Sequence, residues 1–161
     1  MESLRSSGDF KELLSLFNDE GVRYLIVGAF ALAYFGRPRY TKDLDVWVDP
    51  KSDNPIRVFR ALAKFGAPLE NVTVEDFADE ETIFQIGVEP VRIDILPGIS
   101  GVEFDAAWAR RILAEYAGIA VNMISRDDYI ANKSASGRPH DLRDIETLLE
   151  DEGSQPRNPR A

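Results

Sequence analysis

Residues 22–28, VRYLIVG, are almost continuously apolar and end in glycine. A strand with that pattern has no face for water, so both its faces must be covered. The chain therefore has to build a layered sheet. AFALAYFG (29–36) follows at once and reads as a short buried helix closed by Gly36, and RPRYTK (37–42) as a basic loop. DLDVWVD (43–49) alternates: Leu44, Val46 and Val48 share one face, and Asp43, Asp45 and Trp47 share the other.

The remaining segments complete a mixed α+β pattern. Residues 9–20 predict a helix capped by Asp9 and stopped by Gly21. Asp53 or Asn54, with Pro55, opens another through about Phe65, closed by Gly66. A short helix is expected in the acidic stretch 69–80. TIFQIG (82–87) and VRIDIL (91–96) read as strands joined by a turn with Glu89 and Pro90. In the second, Val91, Ile93 and Ile95 face one way, and Arg92, Asp94 and Leu96 the other. PGISG (97–101) breaks the chain, and 103–110 look helical. Residues 112–118 fit helix or strand equally, and 119–124 a strand. Ser125 with Asp128 resembles a capping box for a helix over 126–136, ended by Gly137. Pro139 begins a last helix to about Glu152, its apolar stripe carried by Leu142, Ile145, Leu148 and Leu149. The order predicts an α+β fold, a mixed sheet with flanking helices chiefly on one side. The 161 residues suit a single domain over 1–153, with 154–161 expected as a disordered tail.

Composition narrows the chemistry. There is no cysteine and one histidine, His140, which excludes thiolate metal sites, disulfides, a cysteine nucleophile and multi-histidine metal sites. His140 is expected as a surface turn residue. The net charge of −9 disfavours broad binding to a phosphate backbone. No stretch approaches about 20 apolar residues, and the N-terminus lacks a signal-peptide core, so a cytoplasmic protein without membrane contact is expected.

Chemistry concentrates on three carboxylates. On a strand, Asp43 and Asp45 lie on one face about 6.6–7 Å apart. At an effective dielectric of about 20 they repel by about 2.4 kcal/mol. Asp94 stands in an otherwise apolar strand; paired beside 43–49, it would come within about 5 Å of one of them. An oxygen-only set of this kind suits Mg²⁺, and two such ions can stabilise both oxygens of an in-line displacement at phosphorus. Gly28, between strand and helix, would let a ligand approach the backbone, with helix N–H groups open to phosphate. Arg37, Arg39, Thr41 and Lys42 lie just before the aspartates, and Lys133, Arg138 and Asp141 around the break between the last helices. Each could bind or steer phosphate, or serve as a solvated loop or a dipole partner.

Gly28-Ala29, Asp43-Leu44-Asp45 and Asp94, with YLIVGAFALAYFGRPRYTKDLDVWV and NKSASGRPHDLRDIETL, resemble the minimal nucleotidyltransferase superfamily, the polymerase-beta-like fold. More narrowly, the chain looks like small bacterial nucleotidyltransferases related to the AbiEii and MenT-type toxins. The resemblance implies metal ligands at Asp43, Asp45 and Asp94, with Asp94 also the base for an incoming hydroxyl. It implies phosphate contact at Gly28-Ala29 and roles for Lys133 and Asp141. It further implies Mg²⁺, an NTP substrate, transfer of an NMP to an acceptor hydroxyl or phosphate, and a tRNA or protein acceptor or an antitoxin partner. Ala29 departs from the family's usual Gly or Ser, which keeps open a catalytically degenerate nucleotide-binding or regulatory protein of the same fold.

Overall fold

The computed structural model describes residues 7–36, 42–88 and 91–154. The expected basic loop, but for Lys42, and the turn at Glu89 and Pro90 lie outside them, as do residues 1–6 and all of the expected tail except Ser154. The described elements are, in order, α1 (Ser7–Asp19), β1 (Tyr24–Val27), α2 (Gly28–Phe35), β2 (Asp43–Val48), α3 (Asn54–Phe65), a 3-10 turn (Val74–Ala78), β3 (Phe84–Val88), β4 (Val91–Leu96), α4 (Phe104–Ala109), β5 (Ile112–Tyr116), β6 (Ile119–Met123), α5 (Arg126–Ser136) and α6 (Pro139–Ser154). No helix among the described residues is long and apolar enough to cross a membrane.

The strands form one mixed sheet in the order β3-β4-β2-β1-β6-β5. β2 with β4 and β1 with β6 are parallel; the other neighbours are antiparallel. β1 lies in the middle, and all four of its residues are buried, as its unbroken apolar run demands. Helices cover both faces rather than chiefly one. On one face Phe17 of α1 meets Tyr24 at 5.7 Å between rings, and on the other Phe104 of α4 meets Trp47 at 5.0 Å. Alternation along β1 and β2 requires this, because Trp47 and Val48 are both buried yet point to opposite sides.

Two local readings change and a third gains detail. The ambiguous segment 112–118 is strand, because it pairs with β6 through a two-residue turn. That turn, Ala117-Gly118, has φ of 50° and 87°, the left-handed pair that hairpins favour. α3 opens at Asn54 as read, with Asp53 in the N-cap position and Pro55 in the first turn. Asp53 precedes the helix without a side-chain cap bond, and Asn54 is buried and turned to the sheet. Asn54 accepts from Arg23 N–H at 2.8 Å and donates to Asp49 O at 2.8 Å and Arg23 O at 3.1 Å, joining the start of β1 to the end of β2. The apolar stripe of α6 is only partly inward: Leu148 is buried, but Leu142 and Leu149 are about half exposed. Ser125 caps α5 as expected, its Oγ accepting from Asp128 N–H at 3.2 Å.

Candidate active site

Register brings the acids together. β2 and β4 run parallel with Asp45 opposite Asp94 and Asp43 opposite Arg92. Asp43, Asp45, Arg92, Asp94 and Leu96 therefore project from one face of two adjacent strands. β1 pairs Val27 with Asp45, so the chain turns into α2 directly beside that carboxylate. Gly28 makes the turn at φ +67°, and a Cβ there would lie 2.1 Å from Asp45 Oδ2. Glycine is required twice over, once for the backbone and once for the side chain it faces.

These groups line a cleft of about 790 Å³, with Gly28, Ala29, Asp43, Asp45 and Asp94 on the sheet side and Lys133, Arg138 and His140 on the helix side. His140 is exposed as expected, but it sits in the first turn of α6 at the cleft wall rather than in a loop turn. Asp141 lies beneath the cleft and does not line it. It is fully buried, and Arg138 Nε at 2.8 Å, Lys133 Nζ at 3.3 Å and His140 Nε2 at 3.3 Å surround it. A nucleotide contact is closed to it; what it does is hold Lys133 and Arg138 in place. Burial pushes its carboxyl up, but the Arg138 hydrogen bond and the Lys133 charge outweigh this and hold it below the ordinary range. Lys42 is exposed just before β2 and does not line the cleft. Arg37, Arg39 and Thr41 lie outside the described residues.

The acids are electrostatically tense. Burial, then the charges of Asp94 and Asp43, push the Asp45 carboxyl up to about 6, against the pull of Lys133. Asp45 and Asp94 share a hydrogen bond, which raises the Asp45 carboxyl and lowers that of Asp94. Asp94 is also raised by burial, with Arg92 opposing. The sequence reading did not place Arg92 in the site, although strand alternation put it on the same face as Asp94. Its Nε lies 3.1 Å from Asp94 Oδ1. The donor chemistry fits a hard divalent cation, whose charge would relieve the repulsion. The present arrangement does not close on one: among the described residues no three acids or histidines are disposed as a metal cage.

Residues 6–155 match the family described as nucleotidyl transferase of unknown function (DUF2204). The chain belongs to that family. Among solved structures, this nucleotidyl transferase family member is similar to a candidate nucleotidyltransferase of Thermotoga maritima, TM1012, at 14% identity and a TM-score of 0.56, with 91% of each chain covered. It is also similar to the lincosamide antibiotic adenylyltransferase LnuA in its lincomycin-bound form, at 16% identity and a TM-score of 0.56, covering 89% of this chain and 96% of that one. At these identities the likeness is one of fold, and it agrees with the α+β architecture with a mixed sheet. Among curated proteins none matches the chain.

Proposed function

We propose that this family member transfers a nucleoside monophosphate from an NTP to an acceptor hydroxyl or phosphate, releasing pyrophosphate. The observation that carries this reading is the convergence of Asp43, Asp45 and Asp94 on one sheet face, between the Gly28 turn and the Lys133–Arg138 pair. The acceptor oxygen attacks the α-phosphorus, the bond to the pyrophosphate oxygen breaks in line, and the acceptor proton passes to Asp94. Lys133 and Arg138 neutralise the pyrophosphate charge, and Asp141 keeps both cations aimed at the cleft. Asp43, Asp45 and Asp94 would hold Mg²⁺, which when bound supplies charge neutralisation at the phosphate oxygens.

The test is transfer of label from [α-³²P]NTP, with each of the four bases, in wild type and in Asp43→Asn/Asp45→Asn. Labelled product that needs Mg²⁺ and is lost in the folded double variant supports the reading. Label transfer that survives in the variant sinks it. The Arg92–Asp94 contact and Ala29 favour a second reading, a protein that binds nucleotide without turning it over. Mg²⁺-dependent NTP binding with no labelled product and no pyrophosphate released would identify it.

A further inference from the structure

Beyond the acids, toward the open edge of the sheet, the cleft changes character. Along β4 the site face runs Arg92, Asp94, Leu96, so Leu96 stands one pleat, about 7 Å, from Asp94. Extending the β3–β4 register one step from Phe84 opposite Ile95 sets Ile83 beside Leu96. Ile83 is 57% exposed, unusually so for a large aliphatic, and it lines the cleft with Leu96 and Ile99. Behind this shelf Glu80 lies against Gly98, also of the cleft wall, and Glu81 is exposed next to it.

Sheet order gives the shelf its place in the reaction. From edge to centre run Ile83 just ahead of β3, Asp94 on β4, Asp45 on β2 and Gly28 after β1. The Gly28 turn and the shelf therefore flank the acids on opposite sides. An in-line displacement sets entering and leaving oxygens opposite each other at phosphorus. With pyrophosphate leaving past the Gly28 turn, the acceptor enters from the shelf side.

Resting on the transfer reading above, we infer that Ile83, Leu96 and Ile99 form the acceptor subsite, and that the acceptor is a small non-anionic alcohol with an apolar face. Three aliphatic side chains reward apolar contact, at about 25 cal/mol per Å² removed from water. Glu80 and Glu81, both exposed and close to Ile83 in the chain, disfavour a polyanion such as tRNA at the shelf.

Phenylalaninol and ethanolamine share an amino alcohol head and differ by one benzyl group, which makes them suitable probes. Their Kd values are read by ligand-observed NMR on the full chain with Mg²⁺ and NTP. Phenylalaninol should bind at least tenfold more tightly; Ile83→Asp should abolish that difference and Ile83→Met preserve it. Thermal unfolding of each variant reports folding, and its shift with Mg²⁺-NTP reports nucleotide binding, which should be unchanged. Equal Kd values for the two alcohols overturn the inference, as does an Ile83→Asp variant that loses NTP binding, since the shelf would then seat the nucleotide. Labelling of total tRNA that is indifferent to Ile83→Asp also overturns it. A wild type that binds no NTP defeats the transfer reading itself.

Discussion

Asp45 illustrates how function strains a single residue. Its carboxyl is raised from an ordinary 3.8 to about 6, first by burial and then by its acidic neighbours. A raised folded-state value means stability is fully present below the unfolded value and is lost as pH rises through the folded one. Without divalent cation, stability should therefore fall between about pH 4 and pH 6, by up to about 3 kcal/mol, and stay level above. Urea titrations across that range check the sign. Asp45→Asn supplies a hydrogen-bond donor toward Asp94 and removes the charge that Asp45 carries at pH 7, so it should raise Tm there while abolishing label transfer. A variant that is both inactive and less stable would contradict this account. Gly28→Ala should do the reverse, costing about 2 kcal/mol or more, because the left-handed turn and the carboxylate 2.1 Å from the new Cβ cannot both be kept.

At the level of elements, the sequence was informative wherever one face is buried. Alternation in 43–48 and 91–96 put the acids on one side of each strand, and the side-chain period of two admits no other assignment. Strand adjacency is different. Nothing in either segment says that β4 pairs parallel to β2 with Asp94 opposite Asp45; that comes from the whole sheet. Arg92 was missed as a site residue for the same reason, since only the pairing shows that it faces Asp43. Asn54 reads as a helix-start residue and is one, but its side-chain bonds to Arg23 and Asp49 depend on where the sheet lies and leave no trace in the local sequence. Two predictions belong here. Ala117 sits at φ 50° in the β5–β6 turn, so Ala117→Gly or Ala117→Asn should leave the fold intact and stabilise by about 0.5–1 kcal/mol in urea unfolding. Asp141 joins α5 to α6 as a buried anion held by the Lys133 and Arg138 cations, with His140 Nε2 beside it. Asp141→Asn should cost about 3–5 kcal/mol and weaken NTP binding by loosening Lys133. Because its folded-state value is lowered, its contribution is present above the unfolded value and fades as acid takes pH down through the folded one.

Across the whole molecule, the site draws on β1, β2, β4, α5 and the start of α6, so no fragment contains it. NTP with Mg²⁺ at a hundredfold excess over Kd should add about 2.7 kcal/mol and move a single unfolding transition by about 5–10 °C. A shift confined to part of a biphasic transition would show that the C-terminal helices fold as a separate unit. The parallel pairing of Ile26 with Met123 also has a consequence for synthesis. β1 reaches its antiparallel neighbour early, yet its other edge stays open until residue 123 has been made. At roughly 5–20 residues per second the nascent chain carries that bare apolar edge for about 5–20 s. The ribosome therefore releases this protein only after its most adhesive strand has spent seconds in company it must not keep, and crowding or a shortage of holdase chaperones should lower its yield before any change in the folded state is seen.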